Sequence, residues 1–316
     1  SLEFMQDVEY NPIGWACDNV LTAQILKALD STDGHDFIYA IGVQPHGIYP
    51  ETPIADFDAP IDVVMKTKNT KINEVSMEYY ISQLREVDAF LEELVSALSL
   101  REEKTVLVVY GDHLPYLQIQ PEELLNGDIY QTEYVVWSNY DLPVSFCTTN
   151  LYSYELSANV MKRLGINNGL ITKLHQNCSE HPDYMKYLEM LQYDMLYGQK
   201  ECYGYEIVYE PSEIVLGVAP ITIEDVKNRE DGIEIKGTEF TPFSRVYING
   251  TKLATEFVDN FTLFVKGHEV LYGDSVVVHQ TNGERTSFRE SEVFIADLDV
   301  NPFPYESFDD DKIFQK

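Results

Sequence analysis

The stretch Thr105–Leu117, TVLVVYGDHLPYL, decides the fold class. Val106 to Tyr110 is a β-branched and aromatic run, the pattern of a strand buried on both faces of a parallel sheet. Gly111 lets the chain turn there, and Asp112 and His113 follow at once. In open α/β sheets ligands sit outside the carboxyl ends of the strands, so this carboxylate and imidazole would project into a crevice. Their oxygen and nitrogen donors suit a divalent cation of the Mn, Zn or Mg type. The structural alternative is that Asp112 caps a turn and His113 packs.

Upstream, DFIYAIGVQ (36–44) reads as a short apolar strand, and QPHGIYP (44–50) follows it. His46 stands between Pro45 and Gly47, a rigid setting from which an imidazole can meet a phosphate or sulfate oxygen. DNVLTAQILKAL (18–29) predicts a helix with Val20, Leu21, Ile25, Leu26 and Leu29 on one face and Asp18 as N-cap. The spacing of Tyr80, Leu84, Val87, Leu91, Leu94 and Leu98 predicts a long helix over 77–98. EYVVWSN (133–139) reads as a further strand, with helices at about 152–164 and 182–198. Strands alternating with helices imply a mostly parallel sheet flanked by helices on both sides.

The chain has 316 residues, a length that suits about two domains. Lys and Arg total 22 against 53 Asp and Glu, giving a net charge of −31. A surface this acidic repels phosphate backbones, which argues against a nucleic-acid partner. Cys17, Cys147, Cys178 and Cys202 lie far apart without CxxC spacing, so neither a zinc site nor a redox pair is signalled; free buried thiols are expected, with one or two disulfides as the alternative. No apolar run approaches the roughly 20 residues that span a bilayer. The opening SLEFMQDVEY lacks the features of a signal peptide and reads as a cut into a longer protein.

VVYGDHLPYL and VQPHGIYP, with the long helix between them, resemble the lipoteichoic acid synthase group of sulfatase-like phosphoglycerol transferases, in the alkaline phosphatase superfamily. The segments SLEFMQDVEYNPIGWACDNVLT and YMKYLEMLQYDMLYGQK are similar to that group as well, so the likeness covers about residues 1–200. The resemblance implies that Asp112 and His113 are metal ligands and that His46 contacts the anionic substrate group. It also implies a Thr nucleophile and a further carboxylate ligand upstream of Ser1. No residue of this chain takes the nucleophile's part, since Thr22 lies within the 18–29 helix. No Cys or Ser stands in a C/S-x-P-S-R setting of the sulfatase kind.

From Ile221 the character changes to short alternating strands: GIEIKG, SRVYING, DNFTLFVKG and DSVVVHQTNGE. The turns Asn249-Gly250 and Asn282-Gly283 suit tight hairpins. Ile235, Gly237, Phe240 and the run Val246–Gly250 resemble the core pattern of an IPT/TIG immunoglobulin-like domain. The expected organisation is therefore an α/β fold in two domains and a tail. Residues 1–205 are the C-terminal part of a sulfatase-like catalytic domain, 217–298 a small β-sandwich, and 299–316 an acidic tail.

The expected function is that of a fragment of a metal-dependent phosphoglycerol transferase acting on cell-envelope polymers, inactive alone. Mn or Mg is the expected cofactor ahead of Zn or Ca. The substrate is a phosphoglycerol lipid or anionic glycan. The implied location is the outer face of a bacterial membrane, reached through membrane helices upstream. Two rivals stand beside it: a sulfatase or phosphodiesterase of the same superfamily, and a non-catalytic surface-binding module.

Overall fold

The computed structural model describes residues 2–66, 70–142, 150–204, 217, 219–282 and 286–297. Two compact units divide the chain. One takes in Ser1–Leu91, Pro115–Leu117 and Ile214–Lys316, the other Glu92–Leu114 and Gln118–Glu213.

In the first unit, α1 (Val20–Leu29) forms from the expected amphipathic run, with Leu21 and Thr22 as its buried residues. Asp18 does not cap it. Its carboxylate is buried and instead accepts the backbone N–H groups of Val43 and Gln44, at 2.9 and 3.3 Å. The 36–44 segment forms no strand, and Phe37, Tyr39 and Ile41 are exposed. An apolar run becomes a strand only by pairing with a neighbour, and no described strand pairs with this one.

α2 (Glu74–Ser99) is longer than its periodicity predicts, because Asn73 accepts the Ser76 N–H at 3.0 Å and starts the helix early. Its residues up to Leu91 belong to the first unit and the rest to the second. Leu94 and Leu98 are buried as expected, but Leu84 is 43% exposed. Tyr79, Ser82 and Gln83 take the inward places in its first half. The buried face there is partly polar, so a count of apolar residues misplaces it by one position, about 100° around the helix.

The second unit holds β1 (Val106–Tyr110) and β2 (Tyr134–Ser138), where the sequence predicts them. They pair antiparallel, Val106 opposite Ser138 and Tyr110 opposite Tyr134, which corrects the expected parallel arrangement. A parallel pair needs a crossover, usually a helix. The 111–133 connection has only a 3-10 turn, Pro121–Glu123. Tyr110 and Val135 are exposed, so neither strand is buried on both faces.

Asn139 closes the end of this ribbon. Its Nδ2 donates to the carbonyls of Leu98, Arg101 and Glu103 at 2.8–3.2 Å, and its Oδ1 accepts the Thr105 N–H at 2.8 Å. One amide thus satisfies carbonyls left over at the end of α2 and fixes the entry to β1. Among its described residues the unit also holds α3 (Leu156–Arg163), α4 (Leu170–Cys178) and α5 (Tyr184–Leu196). α4 has no counterpart among the expected elements. Gln176, buried at its end, donates to the carbonyls of Ala158 and Ile166 at 3.0 and 2.9 Å and ties it to α3.

Residues 222–295 of the first unit form two antiparallel sheets. One has the order β3 (Thr222–Arg229), β4 (Gly232–Thr238), β8 (Thr262–Lys266), β7 (Glu256–Asp259). The other runs β10 (Ser287–Glu290), β9 (Ser275–Thr281), β5 (Ser244–Ile248), β6 (Thr251–Lys252), with β11 (Phe294–Ile295) also on β9. Alternation along β4, β5, β8 and β9 sends Ile233, Ile235, Val246, Leu263, Val265, Val276 and Val278 inward, all fully buried. Asn249 and Gly250, both at positive φ, make the tight β5–β6 turn that the sequence predicts.

The N-terminal segment meets the sandwich within this unit. Lys27 of α1 pairs with Glu239 at 2.5 Å, Thr241 donates to the Glu3 carbonyl at 2.9 Å, and the rings of Phe4 and Phe288 lie 6.3 Å apart. Cys17, Cys178 and Cys202 are free thiols. Cys147, Gly283, nearly all of the 205–220 connection and the acidic tail 299–316 fall outside the described residues. No helix among the described residues is long and apolar enough to cross a membrane.

Candidate functional site

Asp112 and His113 leave the end of β1 as the sequence predicts, both largely exposed. The Asp112 carboxylate accepts the His113 N–H at 2.9 Å, which folds it back over the imidazole and leaves Oδ2 3.6 Å from His113 Nε2. His113 Nδ1 lies 2.8 Å from the Leu114 carbonyl. That contact favours the proton on Nδ1, so Nε2 carries the lone pair on the side of the carboxylate. An oxygen and a nitrogen donor thus stand side by side, the donor types of a divalent-metal site. In number they fall short. No group of three or more His, Cys, Asp or Glu suited to a metal occurs among the described residues. Thr132 donates to the Gly111 carbonyl at 2.7 Å and fixes the turn from which the pair projects.

His46 lies in the first unit, on an exposed loop held from beneath by a buried polar network. Asn11 donates to the Gln44 carbonyl at 2.9 Å and to Gln83 Oε1 at 3.3 Å. It accepts the N–H groups of Ile13 and Trp15 at 3.1 and 2.9 Å. Gln44 donates to Gln83 at 3.2 Å and accepts the Asp18 N–H at 2.8 Å. Burial pushes the Asp18 carboxyl above the usual carboxylate range, against the opposing pull of the Val43 and Gln44 amides.

Above this floor the Trp15 ring packs on the His46 imidazole, centroids 4.5 Å apart. His46 Nδ1 is 2.5 Å from the Gly47 carbonyl. The Tyr49 hydroxyl donates to the Pro45 carbonyl at 2.8 Å, and burial holds that phenol up at about 12. A methyl group at Gly47 would meet the Tyr49 ring at 3.4 Å and Tyr116 at 3.6 Å, so the loop backbone is closely covered.

The sequence-predicted residues fall in two units, Asp112 and His113 together in the second and His46 in the first. Sequence reasoning missed Asn11, Gln83 and the true role of Asp18. Asn11, Asp18 and Gln83 all stood in segments already singled out, but isolated polar residues give no periodic signal that would mark them as partners. Thr22, excluded as a nucleophile, is buried in α1.

Residues 2–155 match the sulfatase family. A Rhizobium meliloti (strain 1021) protein named for cyclic beta-1,2-glucan modification is 24% identical over 190 residues, which make up 55% of this chain and 27% of that protein. The chain therefore spans about a quarter of the length of the curated relative it matches. A solved structure, the Streptococcus pyogenes phosphoglycerol transferase GacH in complex with sn-glycerol-1-phosphate, has 19% identity and a TM-score of 0.46, over 65% of this chain and 56% of that one. The matched residues take in His46, Asp112 and His113 together.

Proposed function

We propose that this chain is the C-terminal portion of a metal-dependent phosphoglycerol transferase that acts on cell-envelope polymers, with Asp112 and His113 as two of its metal ligands. The observation that carries the reading is the Asp112–His113 pair itself, with Nε2 and Oδ2 side by side at the end of β1, within the residues that match the sulfatase family. Two donors are fewer than the three or more protein ligands usual at a catalytic metal, and in this reading a further carboxylate and a Thr nucleophile upstream would complete the set. When bound, Mn²⁺ or Mg²⁺ would stabilise charge on the phosphoryl oxygens and on the nucleophile.

His46 would hold a phosphoryl oxygen of the phosphoglycerol lipid or anionic glycan. With Nδ1–H directed at the Gly47 carbonyl, Nε2 donates only from the imidazolium form, a cation matched to an anionic group. In this reading residues 1–205 are the C-terminal part of the catalytic domain, 217–298 form an IPT/TIG-like sandwich, and 299–316 are an acidic tail. The whole protein would sit on the outer face of a bacterial membrane, held by helices upstream. A sulfatase or phosphodiesterase would use the same half-site, and an upstream C/S-x-P-S-R motif in place of a Thr would identify it.

The test is Mn²⁺ titration of the chain followed by NMR. Paramagnetic broadening centred on Asp112 and His113, lost in Asp112→Asn, is expected. Broadening spread evenly over the many surface carboxylates, with none favoured at the pair, would overturn the assignment and favour a non-catalytic binding module.

A further inference from the structure

The sandwich has a polar outer face that the sulfatase-like reading does not use. Strand register builds it. Arg245 of β5 lies opposite His279 of β9, and His279 lies opposite Glu290 of β10. In the next row Tyr247 lies between Val277 and Lys252. Ser244, Val246, Val278 and Gln280 point into the core, so alternation turns Arg245, Tyr247 and His279 outward together. The Tyr247 and His279 rings stack at 3.8 Å with 22° between their planes.

Beside this stack is an open groove of about 440 Å³ lined by Arg245, Lys252, Leu253, Ala254 and Thr255. Acidic residues outnumber basic ones by 53 to 22 in the chain, yet this lining holds two cations and no carboxylate. The groove is also held in shape. The Thr255 hydroxyl accepts the Val246 N–H at 2.8 Å and donates to the Leu253 carbonyl at 3.1 Å, which locks the rim. Arg245 Nη1 donates to the carbonyls of Pro242 and Ser244 at 2.8 and 2.7 Å, which orients the guanidinium fork. Glu290 lies 3.3 Å from His279 Nδ1, on the side away from Arg245.

We propose that this groove is an oxyanion site for a phosphate-bearing ligand, held by Arg245 and Lys252, the cross-strand neighbours of His279 and Tyr247. The Arg fork and the Lys ammonium give charge-assisted hydrogen bonds to phosphate oxygens. The Leu253 and Ala254 side chains in the lining offer apolar contact to whatever carries the phosphate. The site is independent of His46 and of the Asp112–His113 pair.

The test titrates the full chain with inorganic phosphate, and separately with phenyl phosphate, at low ionic strength. The His279 ring and Arg245 side-chain NMR signals are followed. Saturable shifts are expected, reduced at least roughly tenfold in apparent affinity by Arg245→Gln with Lys252→Gln, and by Lys252→Gln alone in part. They should be unchanged in His46→Ala and in Lys266→Gln, which lies on the other sheet. Tighter binding of phenyl phosphate identifies a phosphate ester as the ligand, and equal binding identifies free phosphate. Absence of saturable shifts, shifts that survive the double substitution, or shifts lost equally in Lys266→Gln would overturn the site.

Discussion

Gln83 of α2 and Gln44 at the root of the His46 loop meet at 3.2 Å, both buried, although 39 residues separate them. Asn11 bridges the two, donating to the Gln44 carbonyl and to Gln83 Oε1. The loop that presents His46 is therefore fixed by amides on three separate segments.

Removing Asn11 should cost more than its size suggests. Asn11→Ala leaves the Gln44 carbonyl and the Ile13 and Trp15 N–H groups without their partner in a buried setting, a loss of about 2–3 kcal/mol. Leu84→Ser, on the exposed side of the same network's helix, should change stability by about 0.5 kcal/mol or less. Urea unfolding midpoints measure both, and equal costs would contradict the inward phase assigned to Gln83.

Asp18 gives a pH signature. Its folded-state pKa is raised above the ordinary 3.8 by burial, so the folded state binds the proton more tightly than the unfolded chain. Its contribution is fully present below the ordinary carboxylate pKa and is lost as pH rises through the raised value. Asp18→Asn keeps an acceptor for Val43 and Gln44 but removes the titration. The stability difference between wild type and variant should shift against the wild type across that window. A pH-independent difference would show that the carboxylate is not desolvated.

Metal affinity should depend on both members of the pair at the end of β1. Asp112→Asn and His113→Gln should each weaken Mn²⁺ binding roughly tenfold or more by calorimetry, while melting temperature stays put because both side chains are exposed. A substitution that lowers the melting temperature without altering Mn²⁺ binding would make the pair structural.

Gly237 should tolerate no side chain. An added Cβ would lie 1.9 Å from the Thr222 carbonyl oxygen on the paired strand and 2.7 Å from the Phe240 ring, and Phe240 is fully buried. Gly237→Ala should destabilise the protein by about 3 kcal/mol or more, and Ile235→Ala by about 2–5 kcal/mol through the cavity it leaves. Chemical denaturation tests both, and a near-neutral Gly237→Ala would refute the close packing of β3 on β4.

Much of the molecule was legible from side-chain periodicity. The sandwich strands carry period-2 alternation with an Asn-Gly turn, and the spacing of Ile235, Gly237 and Phe240 marks where a ring fills the space above a glycine. Helices α1, α2 and α5 carry the period of 3.6. The 36–44 run misled because apolar content resembles a strand whether or not a neighbour pairs with it, and Phe37, Tyr39 and Ile41 end up exposed. The polar floor under His46 was illegible because Asn11, Asp18 and Gln83 make sense only against one another.

The sequence by itself determined the local elements and the chemistry placed at their ends: the β1 strand with Asp112 and His113 after it, the loop with His46, and the alternating strands of the sandwich. Only the tertiary structure decided how β1 pairs, which face of α2 turns inward, and that Asp18 serves the His46 loop instead of capping α1. The reason is range. Periodicity and turn chemistry act within about ten residues and are written in neighbouring side chains. Strand direction and buried hydrogen-bond networks depend on partners brought together across the chain, and a buried polar group takes whichever partner the fold supplies.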